Sequence, residues 1–125
     1  MERISISNSE LELMKLLWEH SPLSAPELVE RVRQSCDWEE NTIRTLLERL
    51  VKKGVVERRG QKRFYTYTPR ITRDEYREEV SCRLVEQVFN SRPGALMSFF
   101  VRRGKLSQDD IAELKQLLKE AEGDE

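Results

Sequence analysis

Between Trp38 and Gly54 the apolar residues Ile43, Leu46, Leu47, Leu50 and Val51 recur at i, i+3, i+4, i+7 and i+8. That spacing describes one stripe of an α-helix. It constrains the fold more than any other feature, because burying the stripe dictates what the opposite face shows to solvent. That opposite face carries Asn41, Thr42, Arg44, Thr45, Glu48, Arg49 and Lys52. Gly54 suits the residue just past a helix end, and Lys52 and Lys53 suit the negative end of the helix dipole.

Two shorter helices are expected upstream. Ser9 with Glu12 has the spacing of a capping box, which starts a helix running to about Glu19 with Leu13, Met14, Leu17 and Trp18 inward. Ser21-Pro22 ends it. Ser24 with Glu27 is a second box, with Pro26 in the tolerated first turn and Leu28 and Val32 facing inward. Downstream, Val55–Arg59 and Arg63–Thr68 read as strands around a Gly60-Gln61-Lys62 turn, with Pro69 ending the second. Three helices followed by a basic hairpin describe a winged helix-turn-helix, expected over residues 1–70.

Residues 71–125 read as helical. A long fourth helix is expected from Arg73 to about Asn90, a short apolar segment from Ala95 to Val101, and a last helix capped by Ser107 with Asp110. The last few residues, from Ala121, form an acidic tail. These helices carry apolar stripes that so short a segment cannot bury by itself. Pairing with an identical segment would bury them, so this half is expected to be a dimerisation domain. Its candidate interface residues are Tyr76, Val80, Leu84, Val88, Phe100, Ile111, Leu114 and Leu118. The fold class expected is mainly α with a small β-hairpin.

Charge points to a partner. The chain's net charge is only −1, yet residues 41–63 hold 8 basic and 2 acidic residues. Such a concentrated strip is the footprint that a phosphate backbone selects. The third helix would enter the major groove, where an arginine fork such as that of Arg44 matches guanine O6 and N7 and a threonine such as Thr42 or Thr45 can reach a base edge. Arg49, Lys52, Lys53, Arg58, Arg59, Lys62 and Arg63 read as phosphate contacts, which position without reading sequence. The expected partner is double-stranded DNA. The alternative is a winged-helix module that binds protein instead.

Other classes find little support. One histidine and two distant cysteines, Cys36 and Cys82, offer no zinc-ligand spacing, and no cofactor is implied. No Ser/His/Asp set or glycine-rich phosphate loop suggests an enzyme. No apolar run nears the roughly 18 residues of a membrane span, and Met1-Glu2-Arg3-Ile4-Ser5 lacks a secretory apolar stretch. The expected location is the cytoplasm, with no membrane insertion.

Residues 7–119 resemble the BlaI/MecI/CopY family of penicillinase-type repressors. The resemblance rests on Ser9-Glu10-Leu11-Glu12-Leu13-Met14 with Leu17-Trp18, and on Asp37-Trp38 before Thr42-Ile43-Arg44-Thr45-Leu46-Leu47 and Arg49-Leu50. It continues in Lys52-Lys53-Gly54-Val55-Val56, Phe64-Tyr65-Thr66-Tyr67 and Leu106-Ser107-Gln108-Asp109-Asp110-Ile111. It implies a homodimeric repressor on an inverted-repeat operator, controlling β-lactamase, peptidase-regulator or copper-homeostasis genes. It places Asn41, Thr42, Arg44 and Thr45 at base-reading positions. It also implies a membrane-bound sensor protease that cuts an Asn–Phe bond, here matched by Phe99–Phe100. Three departures stand out. Glu39 and Glu40 precede the recognition helix, Asn41 replaces a lysine found in some members, and the cysteines of copper-responsive members are absent.

Overall fold

The computed structural model describes residues 4–123. The opening residues read for a secretory signal lie mostly outside that range, as do the last two of the acidic tail. The elements run α1 (Asn8–His20), β1 (Leu23–Ser24), α2 (Ala25–Arg33), α3 (Glu40–Lys53), β2 (Val56–Arg59), β3 (Thr66–Pro69), α4 (Arg73–Val88), α5 (Pro93–Arg102) and α6 (Gln108–Glu122). Two compact units emerge, Met1–Glu79 and Val80–Glu125.

In the N-terminal unit, the apolar faces of α1, α2 and α3 close on one another. Leu13, Met14, Leu17, Leu28, Val32, Ile43, Leu50 and Val56 are sealed from solvent at 0–1% exposure. The stripe expected on α3 is the buried one, with Val51 half-buried at its margin. Gly54 ends α3 at φ +82°, the left-handed conformation that favours glycine.

Several local expectations needed correction. The box that starts α1 is Ser7 with Glu10, not Ser9 with Glu12. The Ser7 hydroxyl accepts from Glu10 N–H at 3.1 Å, and the Glu10 carboxylate accepts from Ser7 N–H at 2.9 Å. Both pairs have the right spacing; a tertiary partner distinguishes them, because Lys53 Nζ lies 2.6 Å from the Glu10 carboxylate. Glu12 pairs with Lys15 on the surface instead.

The hairpin gains a third strand. β1 pairs antiparallel with β3, Leu23 opposite Tyr67 and Ser24 opposite Thr66, giving the order β1-β3-β2. Two residues carry no detectable period, so only pairing reveals them. β3 also starts later than expected, at Thr66, because Arg63 takes φ +84° and Phe64 N–H bonds the Gln61 carbonyl at 2.7 Å. Pro69 belongs to the strand, opposite Val56 at its end, where a missing N–H is tolerated.

The units divide within α4, later than the 70/71 boundary expected from sequence. The cause is Trp18. Its indole N–H donates to the Ile71 carbonyl at 2.9 Å, its ring packs on Tyr76 at 5.6 Å, and Arg73 lies over it at 5.8 Å. The start of α4 therefore belongs to the N-terminal unit. α4 stops at Val88, short of Asn90, since Asn90 and Ser91 are both left-handed and Ser91 N–H bonds back to the Val85 carbonyl.

The C-terminal unit is built differently. Val85 is its one buried large apolar residue among those described. Phe89 packs on Phe99 at 5.8 Å, and Arg103 lies over Phe99 at 5.1 Å. Val80, Leu84, Val88, Met97, Phe99, Phe100, Val101, Leu117 and Leu118 are all exposed.

Glu10 is 1% exposed and joins the start of α1 to the end of α3 through Lys53. Burial alone would raise its pKa; the hydrogen bond from Lys53, those from Ser7 and the Lys53 charge outweigh it and hold the carboxyl below its ordinary value. A depressed folded pKa contributes stability that is complete above the unfolded value and is lost as pH falls through the folded one. Glu10→Ala should lower unfolding free energy at pH 7 by about 1.5–3 kcal/mol. Denaturant titrations of the wild type and Glu10→Gln from pH 7 to pH 3 should converge as the acid limb is reached; parallel curves would show that Glu10 is not the titrating group.

Candidate nucleic-acid interface

The exposed face of α3 follows from its buried one. With Ile43, Leu46, Leu47 and Leu50 inward, Asn41, Thr42, Arg44, Thr45, Arg49 and Lys52 all lie in solvent. The β2–β3 hairpin adds Arg58, Arg59, Lys62 and Arg63, also exposed. Arg44 and Arg63 meet at one cleft of about 760 Å³, walled by Ser24 and Pro26 at the start of α2 and by Phe64 and Tyr67 of the hairpin. The structure thus brings Arg44 of α3 and Arg63 of the hairpin to the same opening.

The arginines are not idle in the free protein. Arg44 Nε donates to Glu40 at 2.8 Å. Arg58 donates to Glu48 at 3.0 Å and lies 4.7 Å from the centre of the Tyr65 ring. Arg59 pairs with Glu57 at 3.1 Å. A hydrogen bond with Tyr67 and the Glu48 charge raise the pKa of Arg58, and Glu57 does the same for Arg59. Arg49, Lys52, Lys62 and Arg63 carry no ion pair among the described residues. Glu39, at the N-cap of α3, makes no side-chain capping bond.

Two residues are committed elsewhere. Lys53, expected on phosphate, has its ammonium at Glu10 and at the Ser5 carbonyl, 2.8 Å away. Tyr76, expected between two protomers, packs on Trp18 of its own unit. Neither could be foreseen locally, because each partner is distant in sequence. Of the remaining interface candidates, Val80, Leu84, Val88, Phe100 and Leu118 are exposed, and Ile111 and Leu114 are half-buried.

The three helices with their three-stranded sheet form a winged helix. Residues 6–120 match the model of the penicillinase repressor family. The chain belongs to that family. It is 34% identical over 115 residues to the penicillinase repressor of Bacillus licheniformis, covering 92% of this chain and 90% of that one. It is 32% identical over 113 residues to the methicillin resistance regulatory protein MecI of Mammaliicoccus sciuri, covering 90% and 92%. Among solved structures, the DNA-binding domain of the repressor BlaI matches with a TM-score of 0.54 at 38% identity, covering 61% of this chain and 94% of that one. Bacillus licheniformis BlaI, solved as a monomeric form in complex with the blaP half-operator, matches with a TM-score of 0.53 at 36% identity, covering 60% and 92%. The family is one of repressors, not enzymes.

The hairpin's shape depends on Gly60. Its φ is +103°, and a Cβ there would stand 2.6 Å from the Phe64 carbonyl oxygen. Gly60→Ala should therefore strain the tip by about 1–3 kcal/mol. Amide exchange in β2 and the turn should accelerate while that of α1 and α3 stays slow; unchanged exchange in the hairpin would show that the turn tolerates a side chain.

Proposed function

We propose that this protein is a transcriptional repressor that binds an inverted-repeat operator as a homodimer, with α3 in the major groove and the hairpin on the adjoining backbone. The supporting observation is the α3 face itself. Folding uses one side of the helix completely and leaves Asn41, Thr42, Arg44 and Thr45 with no role in the core. The likeness to a BlaI domain bound to a half-operator gives such a face its target. In this reading Asn41, Thr42, Arg44 and Thr45 read bases. Arg49, Lys52, Arg58, Arg59, Lys62 and Arg63 hold phosphates, and Lys53 serves the fold.

The dimer reading is supported by the C-terminal unit, whose apolar residues are mostly exposed in a single chain. Leu84, Val88, Phe100 and Leu118 are its proposed contacts, with Val80, Ile111 and Leu114 beside them. A two-fold pair matches an inverted repeat. The genes controlled are those the family resemblance implies, of β-lactamase, peptidase-regulator or metal-homeostasis type, and the repressor works in the cytoplasm beside its operator. Among the described residues no helix is long and apolar enough to cross a membrane. A sensor protease is retained as the inducing partner. The Phe99–Phe100 bond lies in α5, where the Phe99 carbonyl accepts from Arg103 N–H at 3.1 Å, so cutting requires that turn to unwind. The cut would release α6 and its share of the apolar surface.

Two experiments test this. Binding to a duplex carrying the gene's own upstream region, against a scrambled duplex, should weaken for Arg44→Ala by about 1–3 kcal/mol on the upstream duplex and much less on the other. Lys62→Ala should weaken both alike and reduce the salt slope by about 1. Equal loss on both duplexes for Arg44→Ala would remove it from base reading. In sedimentation equilibrium the wild type should be a dimer and Leu84→Glu a monomer with the N-terminal unit's melting unchanged; a monomeric wild type at micromolar concentration would reject the dimer.

A further inference from the structure

We infer that Phe64, at the tip of the hairpin, is an apolar DNA contact that inserts against the sugar walls of the minor groove beside the segment read by α3. The inference rests on the repressor reading and assigns a contact that charge analysis of the surface passes over.

Phe64 is 78% exposed. A single exposed apolar side chain needs no explanation by itself. Its setting does. Every other large apolar residue exposed in the described chain lies at or beyond Val80, in the unit read as the dimer surface. Among the described residues of the N-terminal unit, Phe64 stands alone. The same unit half-covers Trp18, Trp38 and Tyr65 against its core, so aromatic groups are not spilled at random.

The backbone holds the ring outward. Phe64 N–H bonds the Gln61 carbonyl at 2.7 Å, Arg63 sits at φ +84°, and Gly60 allows the Phe64 carbonyl to approach closely. Lys62 and Arg63 directly precede it, both exposed and free of ion pairs among the described residues. Phe64 also lines the cleft that Arg44 and Arg63 share. Phosphate contacts by Lys62 and Arg63 would press the tip against the duplex, where the nearest apolar surfaces are deoxyribose faces and base steps. Proteins that enter the minor groove use apolar side chains in this way.

The signature is physical. A cation on phosphate releases counterions, so its loss changes the salt slope. An apolar ring releases none. Its loss lowers affinity by the same factor at every salt concentration.

The test uses the full-length protein and the duplex that the wild type selects from a randomised pool. Phe64→Ala should bind about 10-fold more weakly at each salt concentration, with an unchanged slope. Phe64→Leu should recover part of the loss, and both variants should melt with the wild type. Unchanged affinity, a loss that vanishes as salt rises, or a lowered melting temperature would each overturn the inference. If the wild type selects no duplex, the repressor reading fails and this contact with it. If it binds and Phe64→Ala matches it, only this contact fails.

Discussion

The packing of Ile43, Leu46, Leu47 and Leu50 of α3 against α1 and α2 is the interaction on which the rest depends. It is non-directional in energy, about 25 cal/mol per Å² of apolar surface buried. It is nonetheless strict in geometry, because one helical stripe can face only one way. Sealing that stripe sets the rotation of α3 about its axis. The rotation presents Asn41, Thr42, Arg44 and Thr45 together and carries the chain through Gly54 into the hairpin. A core contact thus decides the orientation of a polar surface that touches none of it.

The charges on that surface are tempered by their neighbours. Three of the arginines expected to meet DNA are held by Glu40, Glu48 and Glu57 in the free protein. Exposed pairs of this kind contribute little to stability, about 0–1 kcal/mol. Their consequence lies in binding. A phosphate or guanine that took such an arginine would first have to displace its carboxylate. Contacts offering only diffuse charge gain least from that exchange, whereas a bidentate base contact gains most. Of the two acidic residues that the family resemblance marks as a departure, Glu40 holds Arg44 in the free protein, and Glu39 makes no capping bond.

The two units divide their labour by burial. The N-terminal unit closes a core of its own, and even the start of α4 is drawn into it by Trp18. The C-terminal unit leaves Leu84, Val88, Phe100 and Leu118 in solvent. One unit closes a core of its own, and the other leaves most of its large apolar residues exposed. Coupling them through one helix means that α4 serves both.

Most of the architecture was legible in local patterns. Helical stripes, the Ser24–Glu27 and Ser107–Asp110 boxes, Gly54 and the basic strip at 41–63 each act within a few residues, where spacing alone reveals them. Several of the differences share one property: their cause lies far along the chain. Ser7 rather than Ser9 caps α1 because Lys53 bonds Glu10. Lys53, expected on phosphate, bonds Glu10 and the Ser5 carbonyl in the structure. β1 exists because β3 passes beside it, and the first unit extends past residue 70 because Trp18 reaches Ile71 and Tyr76. By itself the amino-acid sequence determined the helices, the hairpin and which face of α3 would be left exposed, since periodicity is a property of neighbours. Only the tertiary structure decided that Lys53 is consumed internally and that Trp18 draws the start of α4 into the first unit, because those partners are separated by tens of residues and brought together by the core.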